Sequence, residues 1–131
     1  MINTNVYNYI NVLDKAADAA NTRNEILANN IANVDTPNYK RKDVSFENYL
    51  EQALIGGEIL DERIAGINTH LSDFGGITYT DNSSLSYRLD GNNVDIDTEN
   101  AYLAQNQIRY NALVEQIGQE FGRYKTVLTG V

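Results

Sequence analysis

The sequence predicts a mainly α-helical protein in which long N- and C-terminal helices pair as an antiparallel, coiled-coil-like hairpin. Two observations support this fold class: each end of the chain repeats apolar residues at helical spacing, and the only proline and most of the glycines lie between the two ends. The predicted parts are an N-terminal helix over 1–34, an acidic middle region over 35–96 and a C-terminal helix over 97–131, with both helices in one domain. The middle region is predicted to be short and irregular, with one short helix and a small β-hairpin.

The N-terminal helix is predicted from positions that follow one another at alternating steps of four and three, the spacing of a coiled-coil seam. The seam comprises Val6, Ile10, Leu13, Ala17, Ala20, Asn24, Leu27, Ile31 and Val34. Asn3 or Thr4 can cap the start of this helix with a side-chain oxygen. The helix is expected to end near Val34, because Pro37 disfavours the helical conformation at Thr36.

A turn is predicted to follow the first helix. Asp35, Thr36 and Asn38 offer side-chain hydrogen bonds to the local backbone, and these compete with continuation of the helix. Residues 39–42 are then expected to be extended, and the basic triplet at 40–42 is interpreted as a solvated turn.

A shorter amphipathic helix is predicted over residues 43–55, with Ser45 as its N-cap and the glycine pair at 56–57 as its end. Residues 58–76 carry mixed signals and receive no assignment. A small β-hairpin is predicted from apolar alternation in residues 77–79 and 85–89 around the polar turn at 81–84. A second turn is predicted at residues 90–93, where glycine and asparagine tolerate positive φ.

The C-terminal helix is expected to begin with Asp97 or Thr98 as its N-cap, with Asp95 as a further choice, and Glu99 is expected to favour the positive end of the helix dipole. Its apolar face comprises Leu103, Tyr110, Leu113, Ile117, Phe121, Tyr124 and Leu128, widened by Ile108 and Val114. This face is broader than a single seam, so the helix is expected to contact more than one neighbour.

Composition and charge exclude several classes of function. The net charge is −8, and residues 35–99 hold thirteen of the eighteen acidic residues but five of the ten basic ones. This acidity argues against nucleic-acid binding, which needs a basic surface. The chain contains no cysteine, which excludes disulfides and thiolate sites. Neither a membrane-spanning segment nor a cleaved signal peptide is predicted, and direct membrane insertion is not expected.

No catalytic, cofactor or metal site is predicted, and the protein is not expected to be an enzyme. His70 is the only histidine and lies among polar residues typical of an exposed loop. The acidic cluster between Asp90 and Glu99 does not fit the ligand spacing of an EF-hand, counted from either Asp90 or Asp95. Helix capping is the better interpretation of these acids.

The candidate functional residues are those that would pair the helices and form an assembly interface. They are Val6, Ile10, Leu13, Asn24, Leu27, Ile31, Val34, Leu103, Asn106, Tyr110, Leu113, Ile117, Phe121, Tyr124 and Leu128. Antiparallel pairing brings Asn24 close to Asn106, where two amides within apolar seams would fix the register. A signature turn accompanies them, formed by Asn29, Asn30, Asn33, Asp35, Thr36, Pro37, Asn38 and Tyr39.

Two blocks of this sequence resemble the rod and hook axial proteins of the bacterial flagellum. The run LANNIANVDTPNYK at residues 27–40 is similar to their N-terminal signature, which usually has Asn where Asp35 stands and Gly where Asn38 stands. Asn38 keeps access to the left-handed backbone region, so the turn is expected to survive. Residues 89–99 and 103–113 are similar to the corresponding block of short proximal rod subunits.

The resemblance implies a structural subunit of the flagellar basal body in the rod that spans the periplasm. In this family the terminal helices pair and line a tube that transmits torque for motility and encloses the export channel. Implied partners are other copies of the chain, other rod subunits, the rod-base adaptor, membrane-ring components and the flagellar type III export apparatus. Export would use an uncleaved N-terminal signal.

Two other functions stay open at this point. A helical adaptor or export chaperone that never polymerises would share the acidic charge and the two seams. A hydrolase that uses two carboxylates would need a pair of acids with separated pKa values in one pocket, and no spacing in the sequence places such a pair.

Overall fold

Two long helices form the body of the molecule. The computed structural model describes residues 5–45, 78–80 and 88–130. Its elements are α1 at Asn5–Ala32, β1 at Lys42–Val44, β2 at Thr78–Thr80 and α2 at Ile96–Thr129. The predicted mainly α-helical fold with two packed terminal helices is confirmed. Neither of these helices is apolar enough over a sufficient length to cross a membrane.

The helices run antiparallel, and three contacts along their length define this direction. The contacts join Asn30 to Glu99, Asn24 to Asn106 and Tyr7 to Tyr124. Residue numbers therefore fall along α1 as they rise along α2. The tyrosine rings stack with their centroids 6.1 Å apart, at the end of the pair where α1 begins and α2 finishes.

The apolar core between the helices is thin. Among the described residues, the buried apolar side chains are Ile10, Ala17, Ala19, Ala20 and Leu27 of α1, and Val94 of the turn before α2. Half of these residues are alanines, which allow close approach but each bury little area. Polar and charged side chains fill much of the remaining space, and the buried ones are Asn30, Asp43, Asn92, Asn93, Glu99, Asn106 and Glu120. The fold therefore depends on satisfied polar groups as much as on apolar burial.

A two-stranded antiparallel sheet lies beside α1. Its strands pair Lys42 with Thr80, Asp43 with Tyr79 and Val44 with Thr78. The predicted strand at 77–79 overlaps β2, but the strand paired with it is β1, whereas most of the predicted partner strand at 85–89 lies outside the described residues. Leu89, the last residue of that predicted strand, lies in a turn and is fully exposed. The predicted helix over 43–55 is wrong at its start, because Asp43 and Val44 belong to β1 and pair with β2. The part beyond Ser45 lies outside the described residues.

The start of α2 differs from the prediction in its capping residue. The predicted N-caps Asp97 and Thr98 are wrong, because the third choice, Asp95, holds this position in an extended conformation. Its carboxylate accepts hydrogen bonds from the Asp97 amide at 3.1 Å and the Thr98 hydroxyl at 2.9 Å. The helix consequently begins one residue earlier than predicted, at Ile96.

Candidate assembly site: the helix pair and its interlocked turns

The residues predicted for helix pairing and assembly fall into three groups by exposure. Ile10, Leu27 and Asn106 are buried. The half-buried residues are Leu13, Asn24, Ile31, Val34, Leu103, Tyr110, Leu113, Ile117 and Tyr124. Phe121 and Leu128 are exposed, and Val6 lies in α1 with its side chain outside the described residues. The two exposed residues are accessible to contacts from other molecules.

An amide pair lies in the middle of the helix interface. Asn106 Nδ2 donates to Asn24 Oδ1 at 2.8 Å and to the Ala20 carbonyl at 2.7 Å. Asn106 Oδ1 is buried without a hydrogen-bond partner, which carries a desolvation cost. The sequence-based expectation that the two asparagines lie close together agrees with this geometry.

Two glutamates occupy the face of α2 that is turned toward α1. Glu99 is 1% exposed and Glu120 is 7% exposed. Both belong to a register with alternating steps of four and three that contains Glu99, Leu103, Asn106, Tyr110, Leu113, Ile117, Glu120 and Tyr124. These glutamates were not predicted to be buried, because no charged residue was assigned to the seam. Their four-and-three spacing with the apolar positions would have predicted that they face α1.

Asn30 lies at the centre of a buried hydrogen-bond network and uses its full bonding capacity. Its Nδ2 donates to the Lys42 carbonyl at 2.8 Å and to Glu99 Oε2 at 3.0 Å. Its Oδ1 accepts from the Lys42 amide at 3.0 Å and from the Tyr39 hydroxyl at 3.2 Å. Burial and the charge of Glu99 raise the pKa of Tyr39 above 10.0, so its hydroxyl stays protonated as a donor. One side chain therefore connects α1, β1 and α2.

Arg41 provides the counter-charge for Glu99. Its Nε lies 2.6 Å from Glu99 Oε1, and its Nη2 lies 3.3 Å from Asp43 Oδ2. The interpretation of residues 40–42 as a solvated turn is wrong, because the Arg41 side chain is only 11% exposed and Lys40 Nζ donates to the Gly91 carbonyl. The buried carboxylate of Glu99 is stabilised by this opposite charge. The two residues are 58 positions apart, so the ion pair could not be predicted from their positions in the sequence.

Arg23 extends the charged network along α1. Its Nε and Nη2 bind both Asp43 carboxylate oxygens, at 2.8 and 3.1 Å, in a bidentate arrangement. Burial alone would raise the pKa of Asp43, but hydrogen bonds from Arg23, the Val44 amide and Arg41, with the charge of Arg23, hold it below 3.8. The Tyr102 ring lies 5.8 Å from the Arg23 guanidinium and 5.6 Å from that of Arg41. Positive and negative side chains therefore alternate along this network, in the order Arg23, Asp43, Arg41 and Glu99.

Residues 33–41 and 88–95 pack against each other, and we call them the interlocked turns. Asn92 is fully buried between them. Its Nδ2 lies 2.8–2.9 Å from three carbonyl oxygens that follow the end of α1. They belong to Asn33, Val34 and Thr36. A side chain of the second turn therefore binds the backbone carbonyls of the first turn, just beyond the end of α1.

Backbone conformation allows the two turns to approach closely. Asn38 has a positive φ of 60°, as predicted, and its amide donates to the Asp90 carbonyl at 2.8 Å. Gly91 has a φ of 75°, and a Cβ at this position would lie 2.7 Å from Asn38 Oδ1. Arg88 Nη1 donates to the Val34 carbonyl at 2.8 Å, and the Arg41 amide donates to Asn93 Oδ1 at 2.7 Å. The left-handed φ therefore favours glycine at position 91, and Asn38 Oδ1 would have to shift to admit a Cβ.

The residues of the predicted signature turn lie within this arrangement or border it. Asn30 is buried and Asn33 and Tyr39 are half-buried, while the exposed members are Asn29, Asp35, Thr36, Pro37 and Asn38. Asn33 Nδ2 donates to the Asn29 carbonyl at 2.8 Å, and the Thr36 hydroxyl donates to Asn33 Oδ1 at 3.1 Å. These local bonds end the helix and direct the chain toward β1.

The helix α2 also has large apolar side chains that are exposed within the described part of the structure. They are Ile96, Ile108, Val114, Phe121, Val127 and Leu128. A Cβ added at Gly118 or Gly122 would meet no atom within 4 Å. The acidic side chains of the charged network, in contrast, are bound within the molecule by arginines and amides. The network can therefore hold the two helices together while α2 presents apolar surface to other molecules.

Comparison with known proteins gives a consistent result. Residues 10–40 match the family described as flagella basal body rod protein. The flagellar basal body rod protein FlgB of Bacillus subtilis is 42% identical over 90% of this chain and 91% of its own length. The FlgB protein of Borreliella burgdorferi is 35% identical over 85% and 88% of the two chains. That of Salmonella typhimurium is 35% identical over 82% and 83%.

The family model contains most of the α1 seam and of the first turn. The matches to individual proteins each cover more than four fifths of the chain. The family consists of structural components of the flagellar basal body rather than enzymes. This chain therefore belongs to the FlgB family of flagellar basal body rod proteins.

Proposed function

We propose that this protein is a structural subunit of the proximal rod that polymerises through its terminal helices. The resulting tube would transmit torque and enclose the export channel. The observation that carries the proposal is the family match, which covers 90% of this chain. The rod is built in the basal body, so the subunit would act there and span the periplasm with its neighbours.

The exposed apolar surface of α2 supports polymerisation over a function as a lone monomer. Phe121 is 54% exposed and Leu128 is 81% exposed on a helix whose other face is occupied by α1. Burial of such side chains against neighbouring copies is favourable by about 1.5–3 kcal/mol each. Contacts between different surfaces of identical subunits do not close on themselves, and they generate helical assemblies.

Family membership supports a set of partners for this assembly. We infer contacts with other rod subunits, the rod-base adaptor and membrane-ring components, and delivery by the flagellar type III export apparatus without a cleaved signal. The near-neutral helical ends favour close approach of copies.

Deletion of the gene tests this function, because a missing rod subunit should abolish motility and complete basal bodies. Complementation with the unaltered gene should restore both. Leu113→Asp places a charge on a half-buried seam position and should fail to restore motility. Asn111→Asp, at an exposed position of the same helix, is the matched control and should restore it. Normal motility and intact basal bodies in the deletion strain would show that the rod assignment is wrong.

Electron microscopy separates the rod subunit from the adaptor alternative. Mixed with other purified rod components, a polymerising subunit should form short ordered rods. A non-polymerising adaptor or export chaperone would form discrete complexes with one partner.

A further inference from the structure

Leu89 is an apolar side chain held fully exposed on a rigid turn. Isolated exposed leucines are common on protein surfaces, but this one is presented by residues fixed on both sides. Arg88 donates to the Val34 carbonyl and to Asp90, at 2.8 and 3.0 Å. The Gly91 amide donates to the Arg88 carbonyl at 3.2 Å. A fixed turn presents its side chain with little loss of conformational freedom on binding.

A cavity of about 440 Å³ lies on the side of α1, between the helix and the two strands. Its lining on the α1 side comprises Thr22, Ile26 and Asn29. Asn33 and Tyr39 of the first interlocked turn line it as well, and Lys42 and Thr78 lie on the strand side. Ile26 supplies apolar surface among hydroxyl, amide and ammonium groups. The cavity is therefore large enough for a leucine side chain and offers polar partners for the backbone that would accompany it.

We propose that Leu89 of one copy inserts into this cavity of a neighbouring copy in the rod. The inference rests on the proposed function, because it assigns a contact within that assembly. The projecting residue and the cavity lie at different places on the same chain, so the contact is heterologous and can repeat from subunit to subunit. It lies apart from the exposed face of α2 and supplies a second interface.

Charge supports a second copy as the occupant. Asp35 lies on the first interlocked turn, its side chain is 96% exposed, and its carboxylate approaches Arg88 only to 4.0 Å. Lys42 lines the cavity on the receiving copy. Insertion of Leu89 would bring this carboxylate toward that ammonium group, whereas Arg88 is engaged with Asp90 at 3.0 Å. Opposite charges beside an apolar contact favour one orientation of docking.

Disulfide cross-linking between two single-cysteine variants tests the contact. The natural chain contains no cysteine, so any cross-link reports the introduced residues. Cells would co-express Leu89→Cys and Asn29→Cys forms carrying different tags, and basal bodies would be purified and oxidised. The expected product is a dimer containing both tags. Glu115→Cys, at an exposed position of α2, replaces Asn29→Cys in the matched control and should give no such dimer.

The outcomes separate the contact from the function. Incorporation of both variants into basal bodies without the mixed dimer would overturn the Leu89 contact and leave the rod function standing. Absence of the unaltered protein from purified basal bodies would overturn the rod function and the contact together. A mixed dimer formed equally well with Glu115→Cys would also contradict the contact, because it would indicate random collision.

A second variant measures the contribution of the contact. Leu89→Ser should leave the circular dichroism and thermal midpoint of the monomer unchanged, because Leu89 is fully exposed in the single chain. The loss of one buried leucine per subunit contact should weaken self-association by about tenfold to a hundredfold in sedimentation experiments. Unchanged self-association in this variant would contradict the proposal.

Discussion

The two ends of the helix pair differ in how their geometry is determined. At the end formed by the interlocked turns, buried groups such as Asn30 and Asn92 bond to partners on other elements of the same chain. At the opposite end, the rings of Tyr7 and Tyr124 stack, while Phe121 and Leu128 remain exposed. The first end is closed by directional polar contacts, and the second is open to apolar contacts with other molecules.

This difference shows that one end of a small subunit can stabilise the fold while the other end remains available for assembly. Hydrogen bonds and ion pairs are directional, so the closed end can define one geometry with little apolar area. Apolar surface is not directional, and at the open end it can be buried by whichever copy is placed there. We expect substitutions of the buried polar groups at the closed end to reduce the stability of the monomer. Substitutions of exposed apolar side chains, at the open end and at Leu89, should act mainly on assembly.

The largest expected effect comes from Glu99→Ala at the closed end. It removes the Glu99 carboxylate that lies 2.6 Å from the buried Arg41 side chain, and it removes an acceptor from Asn30. We expect a loss of about 3–5 kcal/mol in the free energy of unfolding, measured by urea denaturation. Asp97→Ala, an exposed acid in the first turn of the same helix, is the control and should have a much smaller effect. Equal losses in the two variants would show that the charge pair does not stabilise the closed end.

The next largest effect is expected for Asn92→Ala, which removes the donor shared by three carbonyls and the acceptor of the Val94 amide. We expect a loss of about 2–3 kcal/mol, because several hydrogen bonds made by a fully buried side chain are lost together and the Val94 amide loses its side-chain acceptor. Asn92→Asp keeps the shape and the acceptor but loses the donor, so it should be at least as harmful. Thermal denaturation measures both variants, and an unperturbed Asp variant would rule out the donor role.

A pair of glycine substitutions compares the two ends directly. Gly91→Ala places a Cβ 2.7 Å from Asn38 Oδ1 at a φ of 75°, and should destabilise the closed end by about 1–2 kcal/mol. Gly118→Ala in α2 meets no atom within 4 Å and should stabilise the monomer by up to about 1 kcal/mol. Chemical denaturation should therefore show a lower free energy of unfolding for Gly91→Ala and a higher one for Gly118→Ala. Changes of the same sign would show that the two positions do not differ in this way.

The smallest expected effect is a pH dependence from Asp43. Its pKa in the folded protein is held below 3.8, so the unfolded chain binds a proton more readily. The stabilisation is complete above the unfolded value and is lost as the pH falls through the folded value. Asp43→Asn should lower the free energy of unfolding at pH 7 and flatten its decrease below about pH 4. An unchanged slope in acid would exclude Asp43 as a source of this dependence.

The sequence alone was sufficient to predict the two helices, their antiparallel pairing and the turn after α1. Periodic apolar positions and a proline with its neighbours are local signals, and local signals can be recognised without a structure. The left-handed conformation of Asn38 was predicted from residue type for the same reason. Glu99 and Glu120 were missed although they lie in register, because charged residues are usually assigned to solvent.

The partners of the buried polar groups were decided only by the tertiary structure. Asn30 and Glu99 are 69 residues apart, and Arg23 and Asp43 belong to different elements. A charged side chain can be buried when the fold brings an opposite charge within about 3 Å of it. The separation of two residues along the sequence does not predict that distance. Sequence thus determined the helices and where the first one stops, whereas three-dimensional proximity determined how the two turns interlock.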